Sequence, residues 1–311
     1  MTGASGFAGG WLARACARAG DEVTALSRRG TSPAPAARKL AVDLGDADAV
    51  RAAVAATRPE VIYHLAALSS VGRSWDAPAQ TLTKNTSSAA NLLEAIRRDS
   101  PSARVVWVSS CEVYGVPETL PIPESAPIHP ANPYAVSKAA GEMLASVYAQ
   151  AYDLDLVIAR PFSHSGPGQR PIFLLSSLAK QAAEGRRAGV ARLRIVTGNP
   201  DTRRDFTDVR DVVEAYRRLA DLGTRGSYNV CSGHSVSAAE QVALLSEVIA
   251  PIEVEHIVDP GRVRAHEVMD LRGDQARLRS DTGWEPVVPL RQTMTDTIEW
   301  WVERLSRPDA E

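Results

Sequence analysis

The first 161 residues alternate between short apolar, β-branched runs and longer segments with a helical period. The runs that predict buried strands are DEVTALS at 21–27, KLAVDL at 39–44, VIYHLAA at 61–67, ARVVWVSS at 103–110 and DLDLVIARP at 153–161. The segments that predict helices are 8–19, 46–57, 79–98 and 136–152. Strands that alternate with helices form βαβ units, whose parallel strands are covered by helices on both faces. The sequence therefore predicts an α/β fold with a doubly wound parallel sheet.

A glycine-spaced turn, TGASGFAGG, begins at residue 2 and leads into the first predicted helix. Gly3, Gly6 and Gly9 leave room for backbone N–H groups and the helix N-terminus to face a pyrophosphate. Such turns are common and a frayed terminal loop is the alternative, but a strand ending at Ser27 follows at the interval of a dinucleotide-binding unit. The strand that normally precedes this turn is missing. We interpret Met1 as a misread valine start codon within an LVTGASG strand.

The residues after the second predicted strand indicate which dinucleotide binds. An acidic residue there would accept the 2′-hydroxyl of the NAD ribose, whereas this chain has Ser27, Arg28 and Arg29. A hydroxyl and two guanidinium groups suit a 2′-phosphate, so the sequence predicts NADP(H) in preference to NAD(H). The alternative is that both arginines belong only to a solvated loop. Asp43 and Leu44, after the next strand, are expected beside the adenine.

The YAVSK segment places Tyr134 and Lys138 four residues apart, on one face of a helix. An ammonium group near the phenol would lower the tyrosine pKa and make it a general acid or base near neutral pH. Upstream, the SSCE segment at 109–112 ends a predicted strand, and ligands of open α/β sheets bind at the carboxyl ends of the strands. Together with the glycine turn, the tyrosine–lysine pair predicts an enzyme.

Composition limits the partners. The formal net charge is −2 and no apolar run is long enough to span a bilayer, so we expect neither a nucleic acid nor a membrane as partner. The three cysteines are far apart, which argues against a disulfide framework and favours the cytoplasm. Cys16 and Cys231 are expected in the core. No cluster of metal ligands accompanies His64 or His164, for which packing or substrate contact is expected, and we predict no metal.

The pattern loosens after residue 161. Segments rich in glycine, proline and arginine at 163–172 and 197–206 are interpreted as loops. We predict a dinucleotide-binding domain over 1–161 and a smaller, discontinuous, mainly substrate-binding region over 162–311. Segments near 207–230 are expected to return to the first domain.

Several segments resemble one known family. They are TGASGFAGG, YHLAALSSVGRSW, SSCEVYG, PYAVSK, RPFSHSGPGQ, GNPDTRRDFTDVRDVVEAY and YNVCSG, followed by RVRAHEVMDLRGD and TGWEPVVPL. They are similar to the extended short-chain dehydrogenase/reductases that modify nucleotide sugars, and within these to the GDP-mannose 4,6-dehydratase and GDP-4-keto-6-deoxymannose reductase group. The HSGPGQ, RRDFTDVRDV and YNVCSG segments look more like the reductase branch. The resemblance implies a Rossmann-type fold, a GDP-hexose substrate, and a homodimer or tetramer assembled through helices 79–98 and 136–152.

The resemblance also implies residue roles. Tyr134 would exchange the proton of the sugar C4 hydroxyl or ketone, Ser110 would hydrogen-bond the same oxygen, and Lys138 would also hold the nicotinamide ribose. The residues expected to bind the cofactor are Gly3, Gly6, Phe7, Gly9, Ser27, Arg28, Arg29, Asp43, Leu44, Leu65, Ala66, Ala67, Asn85, Tyr134, Lys138 and Pro161. Those expected to bind the substrate are Ser69, Ser70, Ser163, Arg204 and Arg264, the two arginines at the diphosphate.

Two positions depart from the family pattern. Ser163 stands where the family usually has the asparagine of an FNH motif, which puts one hydrogen bond near the diphosphate in doubt. Cys111 replaces a serine or aspartate beside Glu112. Dehydration needs a base for the C5 proton and an acid for the departing C6 hydroxyl, which Glu112 and Cys111 would supply. The alternative is that Cys111 is a small buried side chain and Glu112 only orients the substrate.

Three reactions share hydride transfer at C4. We favour a GDP-4-keto-6-deoxyhexose reductase. A dehydratase of the GDP-mannose 4,6 type, with Cys111 and Glu112 as acid and base, and a C3/C5 epimerase are the alternatives. A non-catalytic NADP-sensing regulator on the same fold is a remote fourth, because such a protein has little need for Ser110, Tyr134 and Lys138 together.

Overall fold

The computed structural model describes residues 1–34, 37–263 and 268–307. The strands in chain order are β1 (Thr24–Ser27), β2 (Arg38–Ala41), β3 (Val61–His64), β4 (Arg104–Val108), β5 (Leu156–Pro161), β6 (Ser163–Ser165), β7 (Arg192–Thr197), β8 (Arg203–Asp208), β9 (Gly226–Val230), β10 (Ser235–Ser237), β11 (Glu253–Val258) and β12 (Asp270–Leu271). The helices are α1 (Phe7–Arg18), α2 (Ala47–Thr57), α3 (Val71–Asp76), α4 (Pro78–Asp99), α5 (Pro133–Tyr152), α6 (Leu174–Ala188), α7 (Val209–Asp221), α8 (Ala238–Ile249), α9 (Ala276–Thr282) and α10 (Leu290–Leu305).

The contacts divide the chain into two units. The first comprises Met1–Pro161, Val212–Val230 and Asp274–Glu285. The second comprises Phe162–Asp211, Cys231–Gly273 and Pro286–Glu311. The first unit thus includes Asp274–Glu285, a short segment that was expected in the mainly substrate-binding region. Among the described residues, no helix has both the length and the apolar character that crossing a bilayer requires.

A parallel sheet forms the centre of the first unit. β1 pairs with β2, and β3, β4, β5 and β9 pair in that order. Thr2 joins the two groups, because it bridges Leu26 of β1 and His64 of β3. The resulting order is that of a doubly wound dinucleotide-binding sheet, with Met1 and Thr2 in the place of its central first strand. The predicted fold class is confirmed.

Two residues thus occupy the position of the strand that the glycine turn lacks in the sequence. Thr2 N–H donates to the Tyr63 carbonyl at 2.9 Å, and Leu26 N–H donates to the Met1 carbonyl at 2.8 Å. These bonds hold the start of the glycine turn between the carboxyl ends of β1 and β3. The expectation of a longer first strand stays a prediction.

The carboxyl end of β4 and the start of α5 are fixed by burial and by capping. All six residues of β5 and four of the five in β4 are buried, as expected of strands covered on both faces. Helix α5 begins at Pro133, three residues before the predicted start, because Asn132 caps it and proline is well suited to the first helical position. Tyr134 therefore lies in the first turn of α5.

The second unit is built around β8. This strand pairs with β10 in antiparallel fashion and with β6 and β12 in parallel fashion, while β7 and β11 form a separate parallel pair. The interpretation of 163–172 and 197–206 as loops was partly wrong, because β6 and much of β8 lie there. Their polar sequences do not show the apolar alternation of a strand. They are stabilised by pairing with each other and with distant segments, which local periodicity does not report.

Candidate active site

The glycine turn is closely packed against the segment that follows β3. Gly3 has φ +71°, and a Cβ atom there would lie 2.7 Å from the Ala66 nitrogen. A Cβ atom on Gly9 would lie 2.2 Å from the Gly3 carbonyl oxygen, so a side chain at either position would collide with backbone. Helix α1 has Gly6 as its N-cap, and no side chain caps its first N–H groups. A helix start of this kind fits a pyrophosphate.

Hydrogen bonds of Thr2 and His64 hold the glycine turn in place. The Thr2 hydroxyl is hydrogen-bonded to His64 Nδ1 at 2.8 Å and accepts from the Ala66 N–H at 3.3 Å. The His64 ring also stacks on Trp107, with centroids 4.3 Å apart. Burial lowers the pKa of His64 to about 3, so this histidine is a neutral core residue at physiological pH. Leu65, Ala66 and Ala67, which follow it, are all half-buried beside the turn.

The carboxyl end of β1 carries two unneutralised positive charges. Arg28 and Arg29 are exposed, and neither makes a hydrogen bond or an ion pair with a described residue. The Ser27 hydroxyl, which was expected to bind the 2′-phosphate, is instead bonded within its own loop. It donates to the Thr31 carbonyl at 2.9 Å and accepts from the Thr31 N–H at 2.8 Å. Ser27 thus shapes the loop that presents the two guanidinium groups. Such groups fit a 2′-phosphate.

Two further predicted cofactor residues follow β2. The exposed Asp43 carboxylate accepts from the Gly45 N–H at 2.9 Å, and Leu44 is buried.

Two more predicted cofactor residues lie in other elements. Phe7 is half-buried at the first position of α1, and Pro161 is buried at the end of β5.

Ser110 and Tyr134 meet at the carboxyl end of β4. Ser110 caps the 3-10 turn Cys111–Tyr114 by accepting from the Glu112 N–H at 3.2 Å. Tyr134 is buried, which raises the pKa of its phenol, while the neighbouring Ser110 side chain acts in the opposite direction. The phenol is therefore protonated at neutral pH.

Lys138 lies one turn after Tyr134 on the buried face of α5. Its ammonium group donates to the Val108 carbonyl, and burial lowers its pKa to about 8, a shift that the nearby Glu142 carboxylate opposes. The expected lowering of the tyrosine pKa by Lys138 is not found, because burial dominates the tyrosine and the ammonium group is bound to a carbonyl. Of Tyr134 and Lys138, the lysine is thus the group that titrates nearer to neutral pH.

Cys111 and Glu112 differ in exposure. Cys111 is 5% exposed, whereas Glu112 is half-buried. Glu112 Oε2 accepts a hydrogen bond from Asn132 Nδ2 at 2.8 Å. Sequence reasoning missed Asn132, although an asparagine directly before the Pro-Tyr start of a helix is an N-cap signal.

Asn85 anchors the loop between β3 and α3. Its Oδ1 accepts from the Leu68 N–H at 2.8 Å, and its Nδ2 donates to the Leu68 carbonyl at 3.2 Å and to the Ser137 hydroxyl at 2.8 Å. Ser137 in turn donates to the Tyr134 carbonyl at 2.7 Å. Within that loop Ser69 is exposed, and Ser70 caps α3. The structure thus connects the predicted Asn85 to the tyrosine helix.

Sequence reasoning also missed a buried ion pair behind Lys138. Glu142, one turn further along α5, pairs with Arg160 of β5, and both side chains are nearly inaccessible. Arg160 Nη1 also donates to the Tyr114 hydroxyl at 2.8 Å. The only available signal was that Glu142 follows Lys138 by four residues.

Two other predicted substrate residues, Ser163 and Arg204, belong to the second unit. Ser163 begins β6, and Arg204 of β8 donates through Nη1 to the Arg203 carbonyl at 2.7 Å and the Val268 carbonyl at 2.8 Å. Arg264 lies outside the described residues. His164 of β6 approaches the Phe162 carbonyl at 3.0 Å, and burial lowers its pKa.

The part of the chain that the structure describes has no metal-ligand set. It contains no group of three or more His, Cys, Asp or Glu residues that could hold a metal ion. Cys16, Cys111 and Cys231 are all buried, and none of them forms a disulfide. Burial raises the pKa of Cys16 to about 11, as expected of an unreactive core residue.

Comparison with known proteins identifies the family to which the chain is similar. Residues 1–297 match the family model described as GDP-mannose 4,6 dehydratase. The GDP-6-deoxy-D-mannose reductase of Pseudomonas aeruginosa is 39% identical over 250 residues, which cover 79% of this chain and 82% of that protein. The UDP-glucose 4-epimerase of Mycolicibacterium smegmatis is 33% identical, with 97% of each chain covered.

Among solved structures, RMD from Pseudomonas aeruginosa complexed with NADPH superposes with a TM-score of 0.84. It is 34% identical to this chain, and 97% of each chain is covered. These relatives are nucleotide-sugar reductases and epimerases. The chain belongs to the extended short-chain dehydrogenase/reductase family of nucleotide-sugar epimerases, dehydratases and reductases, near its GDP-mannose 4,6-dehydratase group.

Proposed function

We propose that this enzyme reduces a GDP-bound 4-keto-6-deoxyhexose at C4 with NADPH. The observation that carries the proposal is the protonated, buried Tyr134 beside Ser110 at the carboxyl end of β4. Reduction of a ketone creates an alkoxide at C4 that must receive a proton, and a phenol with a raised pKa is held in the acid form. The similarity to the Pseudomonas aeruginosa reductase supports the same direction.

The residues divide the work between binding and proton transfer. NADPH, when bound, supplies the hydride. Tyr134 delivers the proton to the C4 oxygen, and Ser110 donates a hydrogen bond to that oxygen and keeps it in place. The Lys138 ammonium group is held at the Val108 carbonyl, and it would hold the cofactor ribose and contribute positive charge there. The start of α1 would hold the cofactor pyrophosphate, and Arg28 and Arg29 would hold the 2′-phosphate.

A dehydratase is the second candidate, and Glu112 is the observation that favours it. Its half-buried carboxylate lies close enough to Tyr134 to raise the pKa of the phenol, as does the neighbouring Cys111 thiol. A base at this place could remove the C5 proton of a 4-keto intermediate. Dehydration breaks a C–H bond at C5 and ketone reduction does not, so Glu112 distinguishes these two reactions.

The test measures cofactor consumption. Purified enzyme is incubated with NADPH and the 4-keto sugar, and separately with GDP-mannose. We expect one NADPH to be oxidised per keto sugar and no product from GDP-mannose. Since the isosteric amide leaves proton delivery by Tyr134 intact, Glu112→Gln should keep kcat for ketone reduction within a few-fold. Product from GDP-mannose without net use of cofactor, abolished in Glu112→Gln, would establish the dehydratase instead.

We also propose a homodimer that buries the outer face of α4 and α5. Val136, Met143 and Val147 are 41%, 61% and 58% exposed and lie on one face of α5, at spacings of seven and four residues. Exposed apolar faces of this kind mark interaction surfaces. Light scattering at micromolar concentration should give the dimer mass. Met143→Glu with Val147→Glu should give a monomer, whereas Val287→Glu, at a 77% exposed valine of the second unit, should not. A monomeric wild type contradicts the proposal.

A further inference from the structure

Asn132 joins the two segments that carry the catalytic side chains. Its Oδ1 accepts from the Ala135 N–H at 2.8 Å and thereby caps α5. Its Nδ2 donates to Glu112 Oε2 at 2.8 Å, and Glu112 lies in the 3-10 turn that follows β4. A single half-buried amide thus uses both of its ends, one for the tyrosine helix and one for the glutamate.

The contact leaves Glu112 with one carboxylate oxygen that is hydrogen-bonded and one that accepts no hydrogen bond from a described residue. Oε2 is occupied by the amide donor, whereas no described residue donates to Oε1. A half-buried carboxylate with a fixed orientation is a good acceptor for a hydroxyl group. Because a protein contact already fixes its rotamer, the side chain loses little conformational entropy when the ligand binds. Sugar hydroxyls are donors of this kind. Without the amide, the glutamate side chain would be free to turn towards solvent.

We propose that Asn132 is a positioning residue that holds Glu112 so that its free carboxylate oxygen accepts a hydrogen bond from a sugar hydroxyl of the substrate. The proposal rests on the proposed function for the identity of the sugar, and on the Asn132–Glu112 contact for its geometry. Asn132 touches neither the reacting carbon nor the transferred proton. Its loss should therefore weaken sugar binding more than it slows chemistry.

Asn132→Ser separates the two tasks of this residue. Serine caps helices about as well as asparagine, so α5 and the melting temperature should be unchanged. The shorter serine hydroxyl cannot reach Glu112 while it caps the helix. We expect the KM for the keto sugar to rise about tenfold with kcat within a few-fold, as for the loss of one hydrogen bond to a charged group. Asn132→Ala, which loses the cap as well, should melt at a lower temperature than Asn132→Ser.

A double-mutant cycle then asks whether the effect passes through the glutamate. Glu112→Ala should itself raise the KM about tenfold, and adding Asn132→Ser to it should change the KM less than twofold. Independent effects that multiply to about a hundredfold would overturn the proposal, as would an unchanged KM in the single variant.

The contact has a readout that does not depend on activity. In protein labelled with [δ-13C]glutamate, the Glu112 carboxyl signal is the one that Glu112→Gln removes. We expect Asn132→Ser to shift this signal at constant pH because the amide donor is lost, while Asn132→Ser leaves the other carboxyl signals in place. An unshifted signal overturns the positioning role. If wild-type enzyme fails to reduce the keto sugar while the signal shifts, the proposed reaction is wrong and the Asn132–Glu112 contact stands.

Discussion

Replacement of Tyr134 by phenylalanine is expected to lower kcat for ketone reduction by roughly 10²–10⁴-fold, the range typical of a lost general acid. The phenylalanine ring fills the same buried volume, so only the hydroxyl is removed. Without it, the C4 alkoxide must take its proton from water, which burial of this position keeps scarce. The measurement is the single-turnover rate of NADPH oxidation with saturating keto sugar, together with NADPH affinity from fluorescence titration.

A second tyrosine on the same helix provides the control. Tyr148 of α5 is half-buried, and its hydroxyl donates to Glu94 Oε2 at 3.3 Å. Tyr148→Phe removes a hydroxyl from α5 without touching the site, and should leave kcat within twofold. NADPH affinity should change by no more than a few-fold in either variant. A loss of less than tenfold in Tyr134→Phe would exclude this phenol as the proton donor.

The parallel sheet of the first unit could be predicted from sequence because it depends on local patterns and general rules. β-branched runs predict strands, their alternation with helices predicts parallel pairing, and a parallel sheet places the ends of its strands at one edge. The Tyr-Lys spacing predicts Tyr134 and Lys138 on one helix face, whereas the role of Ser110 beside them comes from the family resemblance. The polar strands β6 and β8 could not be predicted, because their stability comes from pairing between distant segments and not from their own composition.

The residues of the site that were missed share a physical cause. Asn132 acts through a contact to Glu112, twenty positions earlier in the chain, and Glu142 acts through Arg160, eighteen positions later. Neither partner can be read from spacing along one helix. The electrostatics of Tyr134 were likewise not predictable from the Tyr-Lys spacing, because the depth of burial decides the sign of the pKa shift.

Burial also explains the protonation states of Tyr134 and Lys138. The phenol is kept protonated because its anion would be desolvated, and the ammonium group is brought to a pKa of about 8 for the same reason. Desolvation disfavours the charged form of each group. In the free enzyme near pH 7 both groups therefore carry their protons, which suits a site that donates a proton at the C4 oxygen.

Arg28→Ala combined with Arg29→Ala is expected to raise the Kd for NADPH about a hundredfold and to leave the Kd for NADH within a few-fold. Each exposed guanidinium group contributes about a factor of ten through a charge-assisted hydrogen bond to the 2′-phosphate, which NADH lacks. Both arginines have no partner among the described residues, so their removal breaks no contact that stabilises the fold. Fluorescence titration of both cofactors at fixed ionic strength measures the ratio of the two Kd values.

The matched control removes the same charge from the opposite edge of the sheet. Arg18 and Arg58 are exposed residues at the C-terminal ends of α1 and α2, where the helices return to the amino ends of the strands. Arg18→Ala with Arg58→Ala should change NADPH affinity less than twofold at 0.15 M salt, because exposed charges beyond a Debye length of about 8 Å are screened. Equal weakening of NADPH and NADH by the Arg28 and Arg29 changes would show that these arginines do not read the 2′-phosphate.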